Sequence, residues 1–310
     1  MRVLAWHVHG SWMTAFVQGS HDYFIPVVPG RGPDGRGRAQ TFDWPDRVRE
    51  CTPQELADLA FDVVVLQRPE DYELLERWTG LKAGVDVPAV YVEHNAPQGQ
   101  INAMRHPAAE LRGVHVAHVT HFNDLFWDCG DRPRTVIEHG VVDPGYRYTG
   151  EIASAAVVIN EPDRRARVTG TDLLQAFQAR VPVELFGMGA GARGGYENLR
   201  QAELHVQMGR RRVYLHPIRW TSLGLSLIEA MHLGMPVVAL ATTEVPQAVP
   251  AGAGVVSTNV DTLVRSLAEL LEEPERAREL GLHARAFARE RYGLGRFLAD
   301  WDRLLGELVS

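Results

Sequence analysis

Short apolar runs separated by amphipathic or polar stretches recur along the whole chain. Residues 3–6, 23–28, 62–66, 88–92 and 114–120 read as strands, and 62–66 is a β-branched run without polar alternation, the pattern of a strand covered on both faces. Helical periodicity lies between them at 53–59 and 71–78. Strands alternating with helices predict βαβ units and a parallel sheet. Residues 29–38 form a loop rich in Gly, Pro and Arg. The pattern pauses at Asp143-Pro144-Gly145, a turn signal, and then restarts. Strands are predicted at 155–159, 183–186, 212–215 and 236–240. Helices are predicted at about 171–180, 223–233, 261–271 and on to about 291. A closing segment, 296–309, sets Phe297, Trp301, Leu304, Leu305 and Leu308 on one helical stripe. The expected organisation is two Rossmann-like α/β domains, 1–147 and 148–294, followed by a helix at 295–310.

Composition narrows the class. With 310 residues, 45% hydrophobic and 23% charged, the chain is an ordinary globular one and not a disordered one. A net charge of −7 argues against a nucleic-acid partner. Lys82 is the one lysine among 32 basic residues, so a phosphate held by a cation is held by arginine. Two cysteines, Cys51 and Cys129, make no disulfide framework. No apolar run approaches the ~20 residues of a membrane helix, and the N-terminus lacks the apolar stretch of a signal peptide. The expectation is a cytoplasmic protein. Open parallel sheets bind ligands beyond the carboxyl ends of their strands, so function is sought in those loops.

The run Thr221-Ser222-Leu223-Gly224-Leu225-Ser226-Leu227-Ile228-Glu229-Ala230-Met231 carries the most chemistry. Thr221 and Ser222 are good N-cap residues, and Gly224 permits close approach to the backbone. The first turn of a helix there is an anion site. Glu229 follows Ser222 by seven residues, roughly two turns, on the same face, with its side chain leaning back toward the helix start. One helix then offers a diphosphate site and a carboxylate for a pair of hydroxyls, which suits a sugar nucleotide. Taken alone, the run reads equally as a buried helix whose single glutamate is solvated or paired.

With Gly234-Met235-Pro236-Val237-Val238-Ala239 added, the run resembles the Glu-x7-Glu region of retaining GT-B glycosyltransferases of family 4. Thr221 stands where that family has its first Glu, and Glu229 matches the second. The resemblance implies a ribose contact at Glu229, donor-sugar contacts at Thr221, Ser222 and Leu223, and diphosphate contacts at Gly224 and Leu225. Asn160-Glu161-Pro162-Asp163-Arg164-Arg165-Ala166-Arg167-Val168-Thr169-Gly170 resembles the family's basic segment. Arg164 matches its Arg and Thr169 replaces its Lys, so Arg165 or Arg167 is expected to supply a second cation to the diphosphate. Phe186-Gly187-Met188 matches the strand end beside the nucleotide base. Arg219 is a second-rank donor contact, and 210–212 reads as a solvated basic loop.

In the first half the resemblance is looser. It sets His9 and Gly10, after the first strand, on the acceptor side. It also makes His94, in Glu93-His94-Asn95, a catalytic residue that polarises a sugar hydroxyl, with Asn95 and His121 nearby. His115 and His121 share a strand face but lie ~20 Å apart, and His118 points the other way, so no metal is expected. The resemblance implies a GT-B fold with the closing helix packed back on the first domain. It further implies metal-independent transfer of a sugar, hexosyltransferase-type and retaining, from a nucleotide-diphosphate sugar to a small-molecule or glycan acceptor. No cofactor is expected beyond the nucleotide-sugar substrate. A catalytically weak nucleotide-sugar-binding protein and a sugar-nucleotide epimerase are the alternatives.

Overall fold

The computed structural model describes residues 1–310, which form two compact units, Met1–Val142 with Leu294–Ser310 and Asp143–Gly293. The division falls at Val142–Asp143, a little before the 147–148 boundary read from the sequence.

In unit 1 the elements run β1 (Arg2–Ala5), α1 (Gly10–Phe16), β2 (Asp22–Pro26), β3 (Val48–Cys51), α2 (Pro53–Ala57), β4 (Val63–Leu66), α3 (Pro69–Thr79), β5 (Ala89–Glu93), β6 (Val114–His118), α4 (His121–Phe126) and β7 (Arg134–Val136). They make a seven-stranded sheet, β3-β2-β1-β4-β5-β6-β7, with every neighbouring pair parallel. All residues of β4 are buried, as an apolar run without alternation requires. Strand order reverses between β1 and β4, the position where open parallel sheets leave a crevice beyond the strand ends. Residues 294–308 form a helix that returns to this unit. Its Phe297, Trp301, Leu304 and Leu305 are buried, and Trp301 meets the Trp12 ring edge-on at 5.5 Å and Phe16 at 5.2 Å.

Unit 2 runs β8 (Ile152–Val158), α5 (Pro162–Thr169), α6 (Leu174–Gln178), β9 (Val183–Phe186), α7 (Gln201–Arg210), β10 (Arg211–His216), α8 (Leu225–Leu233), β11 (Val237–Leu240), α9 (Val245–Ala248), β12 (Gly254–Ser257), α10 (Val260–Glu272) and α11 (Pro274–Arg291); α12 is the returning helix, Leu294–Leu308. Its five-stranded parallel sheet has the order β12-β11-β10-β8-β9 and reverses between β8 and β10. Helix α8 is buried nearly all round, as an apolar helix must be, and ends at Gly234 with φ +90°. A side chain at Gly281 of α11 would overlap the Gly234 carbonyl, so α11 lies close against the end of α8. No helix is long and apolar enough to cross a membrane.

Candidate functional site

The reversal between β8 and β10 brings two loops of unit 2 together. After β8 the chain enters α5 through Glu161 (φ +54°) and is bent within it at Ala166 (φ +31°). Non-glycine residues held at positive φ are costly and cluster at functional sites. After β10 the segment 217–224 runs to α8. Val168 O accepts hydrogen bonds from the Arg219 and Trp220 amides, at 2.9 and 3.1 Å. Arg219 also holds Asp172 with both guanidinium nitrogens, at 2.5 and 3.0 Å, and donates to Arg167 O at 2.9 Å. Gly170 (φ +71°) completes the junction, since a Cβ there would overlap Pro217 O.

Helix α8 starts at Leu225, and its N-cap position is the extended Gly224, which has no side chain to offer as a cap. Thr221 and Ser222, good N-cap residues by type, lie before the N-cap position that Gly224 occupies. The first turn of α8, with glycine at its N-cap position, presents backbone N–H groups and the positive end of the helix dipole. Beneath it lies His216, buried, with Cε1 2.7 Å from where a Gly224 Cβ would be. Gly224 is therefore required by its neighbour His216. Burial pushes the His216 pKa down to about 3, so the ring is neutral. Tyr214 donates to Ser226 Oγ at 2.9 Å and so ties β10 to the first turn. Further along α8, Glu229 is 5% exposed, and its two oxygens accept from Gln201 Nε2 at 3.2 Å and His205 Nε2 at 3.3 Å.

The arginines of α5 differ in what they hold. Arg164 is exposed and pairs with Glu161, with Nε to Oε1 at 2.9 Å. Arg167 is exposed and 3.5 Å from Asp172. Arg165 is half-buried, belongs to none of the ion pairs, and has its pKa drawn down by burial and then by Arg164. Thr169 is buried, its hydroxyl bonded to Ala166 O and Thr171 Oγ1.

In unit 1 the loop after β1 carries His7, His9 and Gly10. His9 is the N-cap residue of α1, and its ring lies 4.1 Å from that of His94, at the end of β5. Burial, then His9 and His139, hold the His94 pKa well below its ordinary value. A neutral imidazole donates at one nitrogen and accepts at the other, which suits a hydroxyl. The turn that carries His94 is braced by Glu93. Oε1 of Glu93 accepts the Asn95 amide at 2.6 Å, and Oε2 meets His106 Nε2 at 3.0 Å. His106 Nδ1 accepts from the Ala108 amide, so Nε2 carries the proton and donates to Glu93. Trp127 Nε1 donates to Asn95 O at 3.1 Å. Gly10 lies under Phe42, and His121 is exposed at the start of α4.

Residues 196–287 match the family model described as "Glycosyl transferases group 1". This span contains α7, β10, α8 and Glu229. Trehalose synthase of Rubrobacter xylanophilus is 33% identical over 87 residues, 28% of this chain and 21% of that protein's length. Among solved structures, sucrose-phosphate synthase of Thermosynechococcus elongatus superposes with a TM-score of 0.74 at 14% identity, covering 99% of this chain and 98% of that one. HepE of Anabaena in complex with UDP-glucose gives 0.73 at 15% identity, over 99% and 100%. These likenesses show the GT-B fold expected from the sequence.

The structure redraws several site expectations around the group 1 segment. Phe186 is fully buried, stacked on Tyr196 at 4.9 Å with the Arg211 guanidinium over its ring, so it is core and not a base contact. The Gly187 and Met188 amides are taken by Tyr196 O and Asn160 Oδ1, which leaves the exposed Met188 side chain as what this strand end presents. Ser222 and Leu223 are buried; Thr221 is half-buried. Arg219 is engaged by Asp172 and clamps the two loops. The basic run 210–212 is no loop: Arg210 ends α7, and Arg211 is a buried strand residue paired with Glu184. Nothing in the sequence pattern marks Gln201, His205, His216, Glu93 and His106 as site residues. The first two show only as a polar pair at i, i+4 spacing in a helix too polar to be recognised.

Proposed function

We propose that this protein transfers a glycosyl group from a nucleoside-diphosphate sugar to an acceptor hydroxyl, with retention of anomeric configuration and without a metal. The observation that carries the reading is the glycine-led start of α8 at the strand reversal of unit 2, with a buried carboxylate further along the same helix, inside the segment that matches the group 1 family. The first turn at Gly224 and Leu225 binds the diphosphate and stabilises it as charge develops on the leaving group. Arg165, with Arg164 and Arg167 on the same short helix, adds cationic charge. Glu229 accepts hydrogen bonds from the ribose hydroxyls. Thr221, neutral where the resembling family has a carboxylate, offers one hydroxyl to the donor sugar, and Met188 lies beside the base. In unit 1, neutral His94 orients and polarises a hydroxyl, with His9, Gly10, Asn95 and His121 on the acceptor side. HepE was crystallised with UDP-glucose, which makes UDP the first nucleotide to try.

The test is a thermal-shift panel of UDP, GDP, ADP and dTDP, followed by incubation with the sugar nucleotides of whichever base binds. A stabilising nucleotide and acceptor-dependent release of free nucleotide are expected. Binding without release, with any acceptor, would replace the transferase reading by a binding protein; a rearranged donor would replace it by an epimerase.

A further inference from the structure

We infer that His205 and Gln201 of α7 are positioning residues for Glu229, and that their grip on its carboxylate makes the protein select ribonucleotides over 2′-deoxyribonucleotides. The inference rests on the reading of Glu229 as the ribose ligand.

Gln201 and His205 are one helical turn apart, so both side chains leave α7 on the same face. Each reaches a different oxygen of Glu229: Gln201 Nε2 to Oε1 at 3.2 Å, His205 Nε2 to Oε2 at 3.3 Å. A carboxylate only accepts, so His205 Nε2 carries a proton and donates. His205 and Glu229 are both buried, at 4% and 5% exposure, while Gln201 is half-buried. The carboxylate is thus gripped at both ends by donors from a neighbouring helix, and its plane is set by that helix and not by α8 alone.

The lone-pair count shows what remains. A carboxylate has about four acceptor sites. Two are filled by α7, and two remain, one on each oxygen. A vicinal diol has two O–H donors and matches that remainder; a 2′-deoxyribose has one and leaves a site on a buried carboxylate without its partner. Unfilled buried acceptors are costly, and sites built to bond a hydroxyl discriminate strongly against analogues lacking it. The discrimination depends on the carboxylate being held still, which is the part assigned to His205 and Gln201.

The test measures dissociation constants by titration calorimetry for UDP, GDP and ADP and their 2′-deoxy counterparts. The base that binds most tightly is then carried through the variants Glu229→Ala, His205→Leu, His205→Gln and Gln201→Leu. The unaltered protein should prefer the ribonucleotide by about tenfold or more, as one hydrogen bond to a charged acceptor implies. His205→Leu should cut that ratio severalfold while the affinity for inorganic pyrophosphate stays unchanged. His205→Gln, which restores a donor, should recover most of the preference. Gln201→Leu, at a half-buried position, should lower the ratio with little change in thermal midpoint. A ratio unchanged in both leucine variants but lost in Glu229→Ala overturns the positioning role and keeps the ribose contact. A ratio unchanged in Glu229→Ala overturns the ribose reading itself.

Discussion

Arg164 is the arginine that the family resemblance aligns with a diphosphate ligand, yet its guanidinium already holds Glu161 on the surface. Arg165, next to it, is half-buried and outside every ion pair of the molecule. A guanidinium not engaged by a carboxylate remains available to phosphate oxygens and binds them in bidentate fashion. Arg165→Ala should therefore weaken nucleoside-diphosphate binding by about 1.5–3 kcal/mol, the range for a hydrogen bond to a charged group, and leave nucleoside binding unchanged. Arg164→Ala should have a clearly smaller effect. Calorimetry with the diphosphate and the nucleoside, side by side, decides it; equal losses for the two ligands in Arg165→Ala would assign that arginine to the fold. This ranking could not be read from the sequence. The run Arg164-Arg165-Ala166-Arg167 shows that arginines gather after a strand, but which of them is consumed depends on Glu161 and Asp172, and on a backbone bent at Ala166.

At the scale of elements, the apolar runs were legible because parallel strands buried on both faces admit little else: β4 and β9 lie within or at the runs read for them. What escaped had physical reasons. Strand β3 is Val-Arg-Glu-Cys at the sheet edge, where charges are tolerated. Helix α7 abuts β10 without a loop, so its terminal arginine merged with two strand arginines into an apparent surface run. Burying Arg211 is made possible by Glu184, Gln207 and the stacked Phe186 and Tyr196 rings, all contacts distant in sequence or invisible to periodicity. Residue type puts the start of α8 too early, because Thr221 and Ser222 are good caps, whereas Gly224 fills that position over His216. The same loops supply a prediction. Gly170 joins the end of α5 to the 217–220 segment, with φ +71° and no room for a Cβ beside Pro217 O. Gly170→Ala should destabilise the protein by at least about 2 kcal/mol, from left-handed strain and the overlap together. Chemical denaturation would measure it; a loss under about 0.5 kcal/mol, the level of an ordinary surface substitution, would mean that the two loops are not clamped there.

For the molecule as a whole, histidine burial sets the acid response. Burial is the largest cause lowering the pKa of His7, His21, His94, His115, His118, His216 and His232, with His118 reaching about 4 and His216 about 3. Each binds a proton more readily in the unfolded chain, near pH 6.5, than in the folded one. Their contribution to stability is therefore complete above pH 6.5 and is lost progressively as pH falls through that value toward 4 and 3. The thermal midpoint should drop between pH 7.5 and pH 5, above the range where carboxylates titrate; a flat midpoint over that interval would contradict neutral burial of these rings. The other whole-molecule feature is the discontinuity of unit 1, whose final helix follows all of unit 2 in the chain. Trp12 and Phe16, near the start, wait for Trp301. Contacts of such long sequence separation close late, because the loop entropy must be met before they form. During synthesis, then, the half of the molecule made first is the half completed last, and until α12 arrives its aromatic face stays open to chaperones and to other nascent chains.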